Sequence, residues 1–163
     1  LTVPLKVKQS IRNFKVTGMA KGDYVKSWKS SNTKIVKVSG KANGTCKISA
    51  QKRIGTARIT ITLKSGLKKT IKIKVQKSAV KTTKITGFKG GKKSITLKKG
   101  KKFTLVPICK PISSREKVTF TSSNKKVAKV DSKGRIKALK PGKATITVKV
   151  GNKKAKFKVT VKK

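Results

Sequence analysis

Histidine is absent from this sequence and acidic residues nearly so: its 163 residues include 3 Asp plus Glu, which are Asp23, Glu116 and Asp131. Without His, neither a Ser-His-Asp triad nor a Cys-His pair can be assembled. A glycosidase needs two neighbouring carboxylates, zinc needs clustered His and Cys, and calcium needs several acids in one loop. Because three widely spaced acids meet none of these requirements, we expect no enzyme activity, no metal site and no cofactor.

Long apolar runs are also missing. The longest unbroken apolar stretch is Leu105–Cys109, whereas a membrane-spanning helix needs about 20 such residues. We therefore expect no membrane insertion. The chain begins with Leu1 and shows no signal-peptide pattern, which favours a mature or excised piece of a longer polypeptide.

Positive charge is what the sequence has in excess. Lys plus Arg number 47 and the formal net charge is +44, while the hydrophobic fraction is 34%. High charge with low hydrophobicity is typical of disordered chains. The regular spacing of the apolar residues indicates a folded chain instead. Lysine supplies nearly all of the charge, since the arginines are few (Arg12, Arg53, Arg58, Arg115, Arg135).

The sequence contains an internal repeat. Ser30–Asn32 (SSN) returns as Ser122–Asn124, and residues 55–61 (GTARITI) match residues 142–148 (GKATITV). The two matches occur in the same order in both halves. Two homologous units explain them.

Each copy ends in two segments in which apolar and polar residues alternate. The alternation has a period of two and β-branched residues dominate the apolar positions, whereas no stretch shows a helical period. Turn signals at Ser65-Gly66 and Gly151-Asn152 separate the segments, which predicts antiparallel hairpins with one apolar and one solvated face. The apolar positions are Ala57, Ile59, Ile61, Leu63, Ile71, Ile73 and Val75, and then Ala144, Ile146, Val148, Val150, Ala155, Phe157, Val159 and Val161.

The repeat and the spacing of turn signals predict an all-β chain of two tandem antiparallel β-sandwiches, each with about six or seven short strands. The first sandwich is assigned to residues 1–77, the linker to residues 78–83 and the second sandwich to residues 84–163. The second opens with an edge strand at residues 84–88 that has no counterpart in the first. We therefore expect the first sandwich to lack its first strand.

Four motifs follow one another in the second copy: Val118–Asn124, Val127–Val130, Gly134–Ala138 and Pro141–Val148. In order and spacing they resemble the bacterial immunoglobulin-like domain, group 2. The family's tryptophan before Ser-Ser-Asn is Phe120 here, but the first copy has it as Trp28. The first copy departs from the pattern in two places. It has an insertion before Cys46, and it has Ile54 where the second copy has Pro141.

The resemblance implies two tandem immunoglobulin-like β-sandwiches of the kind found in bacterial surface and secreted proteins, including the stalks of intimin- and invasin-like adhesins. It implies an extracellular location, at the bacterial cell surface or secreted, and other domains in a longer parent chain. A non-catalytic spacer or adhesion module is the function it suggests.

Three features have structural interpretations that we prefer to functional ones. Trp28 and Phe120, at matching positions, are predicted as the central core aromatics rather than as a sugar-stacking platform. The Ser-Ser-Asn triplets are predicted to form turns whose side chains bond nearby backbone groups. Cys46 and Cys109 share strand phase with inward residues of different sandwiches, which predicts free, buried thiols. A bridge between domains or molecules is the alternative.

The lysines are the remaining functional candidate. In strands that alternate Lys with Val or Ile, they are predicted to form the solvated face of each sheet. Such a surface could contact anionic cell-wall polymers or host glycans by diffuse electrostatics, or could repel its neighbours without any specific partner. The predicted contact residues are Lys72, Lys74, Lys156 and Lys158.

The alternative function is a secreted polyanion- or nucleic-acid-binding protein that acts by non-specific electrostatics. Dedicated nucleic-acid binders use Arg forks and interleaved aromatic residues. The strong preference for Lys and the aromatic content of 4% therefore predict no specific nucleic-acid partner. We expect a monomer.

Overall fold

The computed structural model describes residues 1–163, all of them, and consists of β-strands joined by turns. The all-β fold is confirmed, and the chain contains no helix suited to crossing a membrane. It divides into two compact units, Leu1–Val80 and Lys81–Lys163. The division lies within the segment predicted as a linker, and the backbone N–H of Thr83 already donates to the Lys110 carbonyl at 2.8 Å.

Unit 1 has two sheets built from seven strands. The four-stranded sheet has the order β1-β7-β6-β3, and the three-stranded sheet has the order β2-β5-β4. The predicted hairpin is β6–β7, in which Ile59 lies opposite Ile71. The strands are β1 Thr2–Lys6, β2 Ser10–Lys15, β3 Val25–Ser30, β4 Val36–Gly40, β5 Thr45–Ala50, β6 Gly55–Leu63 and β7 Lys68–Gln76.

Unit 2 repeats this arrangement and adds a two-stranded sheet. Its four-stranded sheet has the order β12-β15-β16-β9, its three-stranded sheet the order β10-β14-β13, and β11 pairs with β8. The strands are β8 Lys84–Phe88, β9 Ser94–Lys98, β10 Lys102–Thr104, β11 Pro107–Lys110, β12 Val118–Ser122, β13 Ala128–Val130, β14 Arg135–Ala138, β15 Gly142–Val150 and β16 Lys153–Lys162.

One strand pair in each unit is parallel. β1 runs parallel to β7, with Leu5 opposite Val75, and β9 runs parallel to β16, with Leu97 opposite Val161. Alternation along a strand is the same in either direction, so the sequence pattern could not reveal the parallel pairs. β1 is therefore the counterpart of β9, whereas β8 has no counterpart in unit 1.

The inward faces of the two sheets form the core of each unit. Leu5, Ile48, Ile59 and Ile73 are fully buried in unit 1, as the strand phase predicts. Burying side chains of this size contributes roughly 1.5–3 kcal/mol each to folding. The hydrophobic effect acting on these alternating positions is thus the main source of stability.

The core of unit 2 is centred on Phe157. This side chain is fully buried, meets the Phe88 ring edge-on at 5.3 Å between centroids, and stacks on Phe103 at 5.8 Å. Edge-to-face and offset pairs at these distances add to the stability gained from burial. The aromatic centre of unit 2 is therefore on β16.

The prediction that Trp28 and Phe120 lie at the centre of their cores is wrong. Both are partly buried and pack against the rim of their cores from β3 and β12, which are edge strands of their sheets. The indole N–H of Trp28 donates to the Lys41 carbonyl at 3.3 Å. The rim position leaves this polar group able to reach backbone outside the core.

The Ser-Ser-Asn turns are confirmed. In unit 2 the Ser122 hydroxyl donates to the Ala128 carbonyl at 2.7 Å, and the Asn124 side-chain oxygen accepts from the Lys126 N–H at 3.1 Å. In unit 1 the same bonds join Ser30 to Val36 at 2.7 Å and Asn32 to Lys34 at 3.0 Å. The triplet is therefore a structural element that ties β3 to β4 and β12 to β13.

All three acidic residues hold turns and loops. Asp131 accepts from the backbone N–H groups of Lys133 and Arg135, both at 2.9 Å, and from the Arg135 Nε at 2.6 Å. The Arg135 backbone hydrogen bond is the main reason that the pKa of Asp131 lies below its ordinary value. Asp131 thus fixes the β13–β14 turn.

Asp23 and Glu116 act in the same way on longer connections. The Ser65 hydroxyl donates to Asp23 at 2.7 Å and lowers the pKa of this carboxyl. The backbone N–H of Thr82 donates to Glu116 at 2.5 Å and lowers the pKa of Glu116. Each carboxylate therefore joins segments that are distant in the chain.

Replacing Gly134 with Ala should destabilise unit 2 strongly. Gly134 has φ +76°, and a Cβ there would meet the Leu105 carbonyl oxygen and lie 2.8 Å from the Phe120 ring. We expect a loss of about 3 kcal/mol in the free energy of unfolding, from the left-handed backbone and the steric overlap together. A urea titration monitored by far-UV circular dichroism measures this loss.

Gly100 provides the matched control for this substitution. Its φ is +84°, but a Cβ there would meet nothing within 4 Å. Gly100→Ala should therefore cost only the backbone term, about 1 kcal/mol. Equal losses for Gly134→Ala and Gly100→Ala would contradict the packing at the β13–β14 turn.

Stability should fall at acid pH because the folded state lowers the pKa of all three carboxyls. A lowered pKa favours folding above the carboxyl's unfolded pKa of about 4, and this contribution is lost as pH falls through the folded pKa. We expect a constant melting temperature from pH 7 to about 5 and a decrease below about pH 4. Thermal unfolding across this range measures it.

The variant Asp23→Asn/Glu116→Gln/Asp131→Asn is the control for the acid dependence, and Asp131→Asn alone serves if the triple variant is too unstable. Since the chain has no His, the triple variant should show a nearly flat profile, and the single variant a weaker decrease than the native chain. An acid decrease that both variants retain in full would refute this assignment.

Candidate functional site

The four predicted contact lysines lie on equivalent strands of the two units. Lys72 and Lys74 are exposed on β7, and Lys156 and Lys158 are exposed on β16. Between them the strands direct Ile73 and Phe157 into the two cores. Each unit therefore carries two of the four predicted lysines on an outward strand face.

Hydroxyl-bearing residues lie beside these lysines. Across the strand pairs, Lys156 is opposite Thr147, and Lys158 is opposite Thr145 and, on β9, Ser94. Directly opposite residues of a sheet are close enough for their side chains to interact. The outward face of the four-stranded sheet thus offers ammonium groups and hydroxyl groups next to each other.

Sequence reasoning missed one cation of this face in unit 1. Arg58 on β6 is exposed and lies directly opposite Lys72. The alternation showed that Arg58 points outward, but only the register between β6 and β7 shows that it neighbours Lys72. The pair places two positive charges side by side.

A shallow depression also lies on the outward side of unit 1. It has a volume of about 700 Å³ and includes Lys26, Lys29, Lys68, Thr60 and Thr62 in its lining. These residues come from β3, β6 and β7. Its lining repeats the combination of ammonium and hydroxyl groups, which suits an anionic, hydroxyl-rich ligand.

The acids do not neutralise these faces. Asp23, Glu116 and Asp131 are engaged by the turn and loop donors described above. No group of three or more His, Cys, Asp and Glu side chains comes together. The faces can therefore attract anions through a field of ammonium groups.

The two cysteines are free, as predicted. Cys46 is buried, and burial raises the pKa of its thiol to about 11. Cys109 points toward the core but is only partly buried, which corrects the prediction of full burial; burial and then the Glu116 carboxylate raise the pKa of its thiol. A raised pKa disfavours the nucleophilic thiolate, so neither cysteine is an activated nucleophile.

Comparison with known proteins identifies the fold of unit 2. The family model of the bacterial Ig-like domain (group 2) matches residues 78–161. A protein of Pseudoalteromonas carrageenovora, kappa-carrageenase, is 46% identical over 67 residues, which are 40% of this chain and 17% of that protein. The chain therefore spans less than a fifth of this curated relative.

Three solved structures show a likeness that covers most of the chain. The S-layer protein rSbsC(31–844) is 25% identical over 90% of this chain and 21% of its own, with a TM-score of 0.45. The intimin fragment bound to the intimin-binding domain of its translocated receptor is 17% identical over 90% of this chain and 55% of its own, with a TM-score of 0.36. Invasin is 15% identical over 90% of this chain and 32% of its own, with a TM-score of 0.35.

The family model spans unit 2 and slightly more than half of the chain. Unit 1 repeats the strand order of unit 2 in both of its sheets and carries the same Ser-Ser-Asn turn. The chain belongs to the family of bacterial Ig-like domains, group 2.

Proposed function

We propose that this chain is a non-catalytic spacer and attachment module of a bacterial surface or secreted protein, whose lysine-bearing sheet faces contact anionic polymers. The observation that supports this most directly is the exposure of lysines on both units while every side-chain carboxylate is engaged in a turn or loop. An uncompensated cationic surface raises the local concentration of polyanions.

The contact is diffuse in this proposal. Lys72, Lys74, Lys156 and Lys158 are spread over two units, and each is exposed to solvent. Exposed ion pairs contribute up to about 1 kcal/mol each. Affinity for a polyanion then comes from many weak contacts and from release of its counterions, and no single lysine dominates.

Nucleic acid is the less favoured polyanion. Binding of single strands uses exposed aromatic side chains on which bases stack. Tyr24 is the most exposed aromatic residue here, at 42% of the residue's surface, and Lys64 lies over its ring with its Nζ 5.6 Å from the centroid. Anionic cell-wall polymers and glycans need no stacking platform, which favours them as partners.

The absence of catalysis is also part of the proposal. The named carrageenase shares 67 aligned residues with this chain, but the chain has no His and its cysteines are not activated. We infer that the shared segment is an accessory module rather than the catalytic part. Its role would be to hold other domains of a longer parent chain close to anionic polymers outside the cell.

Binding to polyanions should weaken steeply with salt. We expect the affinity for dextran sulfate to fall by about 100-fold or more between 0.05 and 0.2 M NaCl, because each contact releases counterions. Lys72→Ala, Lys74→Ala, Lys156→Ala and Lys158→Ala should each change it less than about twofold. Fluorescence anisotropy with labelled dextran sulfate measures both effects.

Uncharged dextran and single-stranded DNA of matched charge are the comparison ligands. Uncharged dextran should not bind, and DNA should bind no more tightly than dextran sulfate at equal salt. Binding that resists salt, or one alanine variant that abolishes binding while its circular dichroism spectrum is unchanged, would refute a diffuse electrostatic contact.

A further inference from the structure

Three lysines form a row across the three-stranded sheet of unit 2. Lys137 on β14 lies directly opposite Lys102 on β10 and directly opposite Lys129 on β13. All three side chains are exposed. Because neighbouring strands are about 4.8 Å apart, the row places three ammonium-bearing side chains across about 10 Å of one sheet face.

The row is unfavourable for the protein alone. Like charges directly opposite each other in a sheet destabilise it. The acid nearest in sequence, Asp131, is already held by the Arg135 side chain at 2.6 Å and by the β13–β14 turn. The row therefore has no partner within the chain that would offset its repulsion.

Unit 1 shows that the fold does not require this row. At the equivalent place, Ser49 on β5 lies opposite Ser10 on β2 and Lys37 on β4. The Ser10 hydroxyl donates to the Ser49 hydroxyl at 3.0 Å. The same architecture thus accepts one cation and a satisfied hydroxyl pair where unit 2 has three cations.

We propose that Lys102, Lys137 and Lys129 form a defined anchoring site within this contact for a linear sulfated polysaccharide, which lies across β10, β14 and β13. This inference rests on the proposed polyanion contact and assigns a defined part of it to unit 2. A sulfate group between two neighbouring ammonium groups relieves their repulsion and accepts charge-assisted hydrogen bonds from both.

The chemistry of this face fits a sulfated polysaccharide. Lysine is a compact, mobile point charge rather than a planar fork, which suits sulfate groups that vary in direction along a flexible chain. The next outward position on β10, Thr104, is exposed and offers a hydroxyl beside the row, which can hydrogen-bond to a sugar. No aromatic side chain of this face is exposed to stack on a base: Phe103 points to the core.

The test replaces the row by its counterpart from unit 1. Lys102→Ser/Lys137→Ser is made in the full chain, and Lys89→Ser/Lys92→Ser is the control, because both lysines are exposed in the β8–β9 loop and the charge removed is the same. Affinity for dextran sulfate is measured by fluorescence anisotropy at fixed low salt. We expect about a tenfold loss for the row variant and less than about twofold for the control.

A second measurement separates binding from folding. Because the row repels itself, Lys102→Ser/Lys137→Ser should melt at a higher temperature than the native chain at low salt without ligand. Dextran sulfate should then raise the melting temperature of the native chain more than that of the variant. A variant with a lower melting temperature than the native chain would overturn the assignment of the row as a strained site.

The remaining outcomes distinguish this inference from the function on which it rests. Equal losses in the row variant and the control would overturn the row as a site and leave a diffuse contact in place. No binding of the native chain to any polyanion at low salt would overturn the proposed function itself. Tighter binding of single-stranded DNA or teichoic acid than of dextran sulfate, at matched charge and salt, would overturn the assigned ligand class.

Discussion

Burial of inward-facing β-branched and aromatic side chains holds each unit together against the mutual repulsion of its lysines. In strands such as β7 and β16 every second residue enters the core, and the residues between them are free to be lysine. Because only the inward face of each sheet packs in the core, charged residues on the outward face do not reduce the free energy gained from core packing. The net charge of +44 is therefore a property of the solvated faces that the fold tolerates.

The Ser-Ser-Asn triplets and the three acidic side chains act where alternation cannot define the backbone. The Ser-Ser-Asn triplets fix the corner after β3 and β12, and the three carboxylates fix turns and distant loop contacts. The acids are thus too few and too fully engaged to neutralise the lysines. A surface of this kind stays cationic in the folded state, and anions from the surroundings are the counter-charges that remain.

Much of the fold was predictable because a two-residue period has a direct meaning in a sheet. The β6–β7 and β15–β16 hairpins, the inward positions of Ile59 and Ile146, and the Ser-Ser-Asn turns follow from local sequence. The parallel pairs β1–β7 and β9–β16, the rim positions of Trp28 and Phe120, and the partial exposure of Cys109 did not follow. Each depends on which strand lies at a sheet edge or beside a distant strand, and alternation does not contain this information.

The candidate site likewise has features that the local sequence predicts and features that depend on strand pairing. The sequence by itself determined that the chain is cationic, that Lys72, Lys74, Lys156 and Lys158 face solvent, and that it has no His and three acidic residues, because composition and strand phase are local properties. Only the tertiary structure decided which cations become neighbours, as with Arg58 beside Lys72 and Lys137 between Lys102 and Lys129. The physical reason is register: side chains meet across strands through backbone pairings between residues far apart in the chain.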